Sequence, residues 1–104
     1  MDAQLKRGAL ELCLLAAVAQ EEQYGYDIIR RLRVAFPDVE ESSFYAILRR
    51  LYRDGALERF TGEVSGGPPR KYYRVTPQGR RRLEEQSADW RALNAIVEHC
   101  LAAN

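Results

Sequence analysis

Apolar side chains recur along this chain first at helical spacing, then in short alternating runs, then at helical spacing again. From Leu5 to Ala19, Leu10, Leu14 and Val18 form one stripe with Cys13 and Ala17 beside it, which predicts a helix carrying more apolar surface than one core needs. Gln20, Glu21, Glu22 and Gln23 make a polar break. Behind Tyr24-Gly25-Tyr26, the positions Ile28, Ile29, Leu32 and Phe36 predict a second helix ending near Pro37. After Pro37-Asp38-Val39-Glu40-Glu41, Ser42 or Ser43 is placed to cap a third helix. Its inward stripe is Phe44, Ile47, Leu48 and Leu51, and Gly55 stops it as a glycine one residue past a helix end does.

The period then changes. Leu57-Glu58-Arg59-Phe60-Thr61 and Lys71-Tyr72-Tyr73-Arg74-Val75 have strand composition and flank a turn-rich stretch with Gly62, Gly66, Gly67, Pro68 and Pro69, so they predict a hairpin. Tyr72 and Tyr73 face opposite sides, one toward the core and the other toward solvent or a ligand. Thr76-Pro77 supplies a cap and a first-turn proline, and no breaker follows from Arg80 to Ala103. The fourth helix can run about 26 residues, roughly 39 Å. Along it Leu83, Gln86, Trp90, Leu93, Val97 and Cys100 follow a three-four spacing, with Ile96 and Leu101 alongside, a stripe suited to pairing between helices. A three-helix core is too small to cover both ends of so long a helix, so self-association is expected.

Composition narrows the class. At 104 residues, 46% apolar and 30% charged, the chain fits one soluble domain rather than two or a disordered segment. The longest apolar run, Leu12 to Ala19, falls far short of the roughly 20 residues of a membrane span, so no signal peptide, no anchor and a cytoplasmic location are expected. Cys13 and Cys100 sit in apolar helical patterns without metal spacing and read as two buried thiols. The net charge of +1 conceals a gradient: residues 1–41 carry five basic and eight acidic side chains, residues 42–75 seven and three, residues 76–104 four and four. A basic middle third fits an anionic partner or a solvated face.

The order helix, helix, helix, strand, glycine-proline turn, strand, helix is that of a winged helix-turn-helix, whose third helix can enter the major groove. The expected fold class is therefore α+β, mainly α. Residues 1–75 form the winged helix-turn-helix, and residues 76–104 form a long C-terminal dimerisation helix packed on the same domain. With its apolar stripe inward, the third helix presents Ser43, Tyr45, Ala46, Arg49, Arg50, Tyr52 and Arg53. Arginine can contact guanine in bidentate fashion, and hydroxyls can contact phosphate or base edges. Arg50 and Arg53 lie near the helix end, where phosphate contact and plain solvation are both compatible with a cation. In the turn region Arg70 and Lys71 follow the glycine-proline stretch, where they could hold phosphate or reach the minor groove.

These residues resemble a known family. Leu10-Glu11-Leu12, Tyr24-Gly25-Tyr26-Asp27-Ile28, Phe44 to Leu51 with Asp54-Gly55, and Ser65 to Thr76 are similar to the PadR family of bacterial transcriptional regulators, across nearly the whole chain and most specifically in the wing. The single C-terminal helix resembles the short subgroup. The resemblance implies a homodimeric repressor that joins its last helix to its first, binds a palindromic operator on double-stranded DNA and is released by a small molecule. It implies a dimer interface at Leu10, Leu14, Trp90, Leu93 and Val97, and DNA contacts from Ser43, Tyr45, Arg49, Arg50, Arg70 and Lys71. Ser42-Ser43 departs from the glycine that many relatives carry before the tyrosine, which bears on base preference. Trp90, the only tryptophan, either packs as core or, near its symmetry mate, lets a planar aromatic effector stack between two indoles. Some short PadR regulators are similar in binding planar drugs at such a centre.

No cofactor, metal set or nucleophile motif accompanies His99, the one histidine, so catalysis is not expected. The competing reading is a winged-helix module that binds protein, against which the basic rather than apolar third-helix face argues. RNA binding lacks a visible stacking platform.

Overall fold

A leucine- and alanine-rich run capped by Asp2, whose Oδ1 accepts the Leu5 N–H at 3.0 Å, forms α1 (Ala3–Gln20). In this computed structural model, which describes residues 1–20, 23–62, 67 and 69–103, the chain continues through β1 (Gln23–Tyr24), α2 (Gly25–Ala35), α3 (Glu41–Arg53), β2 (Leu57–Gly62), β3 (Arg70–Val75) and α4 (Pro77–Ala102). Glu21 and Glu22 of the polar break, and Ser65, Gly66 and Pro68 of the turn region, lie outside the described residues.

The predicted stripes converge on one core. Leu14, Leu15 and Val18 of α1, Ile28 and Ile29 of α2, Phe44, Leu48 and Leu51 of α3, and Ala56, Leu57 and Tyr73 of the hairpin are all buried together. Leu14 is 0% exposed within its own chain, so it is a core residue and not part of a dimer interface; Leu10, one turn earlier, is half-buried against the same cluster. The α1 stripe points inward because three helices and the sheet all pack against it.

Neither predicted serine caps α3. The helix begins at Glu41 after an extended Glu40, with no side-chain cap. Its entry is set instead by Val39, which is buried while its carbonyl accepts from Arg33 Nε at 3.2 Å. Val39 and Phe44 occupy the two positions of a hydrophobic staple. The far end of α3 is as predicted: Gly55 takes φ +84°, Ala56 N–H reaches Leu51 O at 2.9 Å and Gly55 N–H reaches Tyr52 O at 3.1 Å, a Schellman closure.

The sheet has order β1-β3-β2, all antiparallel, with Tyr24 and Phe60 flanking Tyr72, and Arg59 opposite Tyr73. The two-residue β1 is an addition to the predicted hairpin. Thr76 caps α4, accepting the Gly79 N–H at 3.0 Å and donating to Gly55 O at 2.6 Å, which ties the helix start to the α3 turn. A Cβ at Gly79 would stand 1.9 Å from Ala56 O, so this close seating requires glycine. From Ala88 to Ala103 every residue is exposed, and Cys100 is exposed rather than buried.

Lys6 is the one buried charged side chain among the described residues, and its ammonium pairs with the Asp38 carboxylate, joining α1 to the α2–α3 connection. Among the described residues, no helix is long and apolar enough to cross a membrane.

Candidate nucleic-acid interface

The 3.6-residue period divides the outer surface of α3 into three strips. With Phe44, Ile47, Leu48 and Leu51 inward, Ser42, Ala46, Arg49 and Arg53 lie opposite the core and form its crest. Tyr45 and Tyr52 flank the crest on one side, Ser43 and Arg50 on the other. These flanks have different neighbours.

The Tyr45 side meets the hairpin. Along β2 the core-facing parity runs from buried Leu57 to Arg59, and along β3 from Tyr73 to Lys71, so Arg59 and Lys71 extend the inner sheet face past the core. The Arg59 guanidinium lies 4.4 Å from the Tyr52 ring centroid, which anchors it against α3. Tyr72, Tyr24 and Phe60 lie on the outer face in a row, with Phe60 stacked on Tyr72 at 5.7 Å. The Arg70 guanidinium sits 4.8 Å from the centre of the Tyr24 ring.

Between hairpin and helix is a cleft of about 320 Å³ lined by Tyr24, Gly25, Tyr26, Tyr45, Arg49, Arg59, Pro69, Arg70, Lys71 and Tyr73. Among the described residues, four cations and no carboxylate line it. Tyr45 is half-buried in its wall, and loss of solvent, with Glu41 and neighbouring tyrosines adding to it, holds the phenol above its ordinary pKa. It therefore remains a neutral hydroxyl, able to donate and accept, throughout the physiological range.

The other flank carries Arg50 away from this cleft. Arg50 Nη2 is 3.4 Å from Glu11 Oε1 of α1, and Arg82 Nη2 of α4 donates to the same oxygen at 2.7 Å. Arg82 also reaches Asp54 at 3.4 Å. Of the six residues expected to meet DNA, Tyr45, Arg49, Arg70 and Lys71 are brought together. Ser43 is exposed but outside the cleft, and Arg50 is engaged by Glu11. Arg59, Tyr24 and Tyr26 join the cleft without having been anticipated. Strand parity counted from Leu57 would have found Arg59; the tyrosines needed β1.

A second concavity lies between α1 and α4, about 250 Å³, lined by Gly8, Glu11, Leu12, Gln86, Asp89, Trp90 and Leu93. Trp90 is 46% exposed, and beyond it Leu93, Ile96, Val97 and Leu101 are exposed too. Trp90 is thus no core residue of its own chain. Half-buried Cys13 has its thiol pushed up by burial, which keeps it protonated and poorly nucleophilic. No cluster able to hold a metal occurs among the described residues.

The sequence profile of the transcriptional regulator PadR-like family matches residues 14–85, from the core of α1 into α4. The chain is 33% identical to the transcriptional regulator Rv3488 of Mycobacterium tuberculosis over 94% of its own length and 88% of the relative's. It superposes on the crystal structure of a PadR-like transcriptional regulator of Bacillus cereus with TM-score 0.85 at 36% identity, covering 95% of this chain and 97% of that one. On a PadR-like transcription factor of Bacteroides fragilis the TM-score is 0.78 at 39% identity, over 93% and 94%. The matched span takes in α3, the hairpin and the seat of α4, and the likeness extends over nearly the whole fold: this chain belongs to the PadR-like family, whose members are transcriptional regulators and not enzymes.

Proposed function

We propose that the chain is a sequence-specific repressor, working in the cytoplasm as a homodimer on a palindromic operator in double-stranded DNA. The observation that carries this reading is the cleft beside the α3 crest, where Arg49, Arg59, Arg70 and Lys71 converge with no carboxylate among the described residues that line it. In this reading α3 is the reading helix, entering the major groove by its Ser42–Arg53 crest, and the hairpin holds the adjoining backbone. The apolar stripe of α4 supports the dimer: Trp90, Leu93, Ile96, Val97 and Leu101 stand exposed in one copy and would be covered by a second. A small planar aromatic effector, stacking on Trp90 in the α1/α4 cavity, releases the DNA.

Selection from a pool of randomised duplexes tests the reading. The expected product is a two-fold symmetric sequence with half-sites separated by about one helical turn, roughly 10 bp, or a multiple of it. Its binding should fall steeply as salt rises. Recovery of no enriched sequence, or of one without symmetry, would refute the operator; capture of protein partners through the same cleft would favour the interaction-module reading.

A further inference from the structure

Two arginines of the hairpin are each backed by a tyrosine that belongs to the helix-turn-helix. On the inner sheet face the Arg59 guanidinium lies 4.4 Å from the centre of the Tyr52 ring of α3, and on the outer face the Arg70 guanidinium lies 4.8 Å from that of Tyr24. Arg70 stands on the last rung of the β2–β3 ladder, opposite Gly62, and among the described residues Tyr24 is the one side chain its guanidinium engages. Tyr24 is itself fixed from two sides. Its backbone pairs with Tyr72 of β3, and its ring lies 5.8 Å from the Tyr72 ring and 6.0 Å from that of Tyr26. The next residue, Gly25, is seated so closely that a Cβ there would stand 3.0 Å from the Tyr73 ring and 3.7 Å from Leu48 of α3. Tyr24 is therefore held in register with the reading helix, and Arg70 with it. Lys71, the neighbouring cation of the cleft, has no such backing among the described residues.

We infer that Tyr24 and Tyr52 are positioning residues for DNA binding, whose ring faces hold the Arg70 and Arg59 guanidinium groups where backbone phosphates arrive. The inference rests on the DNA reading of the cleft and adds the side chains that arrange its charge in advance. An exposed arginine samples many rotamers and must give up that freedom to hold a phosphate. A tyrosine face removes part of that cost before the duplex arrives, because the ring quadrupole attracts the guanidinium. A guanidinium laid over a ring still has its N–H donors in its own plane, open to phosphate oxygens. One ring precedes α2 and the other stands on α3, and they meet the sheet from opposite faces. The hairpin's charges are thereby set relative to the helix that enters the groove, and not by the β ladder alone.

The test is fluorescence anisotropy of a labelled duplex titrated with the full chain across a salt series. Arg70→Ala should lower the salt slope by about one. Tyr24→Leu removes no charge, yet it should weaken binding about two- to five-fold and move the slope toward that of Arg70→Ala. Tyr24→Phe, which keeps the ring face, should bind as wild type does. Arg70→Ala should cost clearly less affinity in Tyr24→Leu than in wild type, whereas Lys71→Ala should cost the same in both. A tyrosine that served the fold alone would lower the fraction of active protein, leave the slope unchanged and add independently to Arg70→Ala. That outcome would overturn the inference and leave the DNA reading standing. If Tyr24→Leu does not fold, Tyr52→Leu with Arg59→Ala decides by the same comparison. Unchanged slopes in both Arg70→Ala and Arg59→Ala would show that neither arginine meets a phosphate, and the DNA reading of the cleft would fall together with the inference.

Discussion

A side chain that meets DNA works best if nothing in the protein already holds its charge, and neighbouring arginines on α3 differ in this because each residue turns about 100° from the last. Arg49 faces the open cleft, while Arg50 turns to Glu11. Arg49→Ala should therefore weaken the selected operator by about 1–3 kcal/mol and relax preference at one base position. Lys71→Ala and Arg59→Ala should weaken all duplexes alike and lower the salt slope by about one each. Electrophoretic or fluorescence titration against operator and scrambled DNA separates the two patterns. A different charge governs acid stability. The hydrogen bond from Lys6, with the nearby backbone adding to it, holds Asp38 below its ordinary carboxylate pKa. Because the folded value is the lower one, the pair stabilises the fold above the unfolded value of about 3.9, and the benefit is lost as pH falls through the folded value. Asp38→Asn should thus be less stable than wild type at neutral pH, and the gap should close only below about pH 4, as denaturant melts across pH would record.

Elements whose ends are written in special residues could be read from sequence, because the chemistry at those ends is local. Thr76-Pro77 and Gly55 set α4 and the end of α3 with bonds inside a few residues. Thr76→Ala removes the acceptor for Gly79 N–H and the donor to Gly55 O, so it should cost about 0.5–2 kcal/mol by thermal or denaturant melting, with Thr76→Ser retaining most of it. What escaped was set by distant partners. Two residues of β1 are too few for an alternating pattern, and they become a strand only because β3 offers an open edge. The start of α3 answers to burial of Val39 rather than to a serine. Leu14 and Leu93 look alike on a helical wheel, yet one stripe is roofed by the fold and the other is not. For the same reason four of six expected DNA contacts converge, while Arg50 follows a glutamate 39 residues earlier in sequence that no local pattern pairs with it.

For the molecule as a whole, the decisive feature is that α4 is seated at Gly79 and Leu83 and is exposed at every residue from Ala88 to Ala103. Leu93→Glu or Val97→Glu would bury an unpaired charge in the proposed pairing seam, so sedimentation should give monomers that keep their melting transition and lose the palindromic operator. Leu14→Glu, by contrast, should unfold the chain, because that position belongs to the core. A wild-type monomer at micromolar concentration would remove the dimer. The unroofed stretch has a further consequence for how much protein a cell must hold. A helical stretch of about 15 residues with so little packing is marginal in water, so in a lone chain the end of α4 should fray. Helical signal per residue should then climb with protein concentration, and a protease should trim the dilute chain first near Trp90. Scarcity would be self-reinforcing: the fewer the copies, the larger the share with an open tail, and the faster those are cleared, giving the regulator an abundance threshold rather than a graded response.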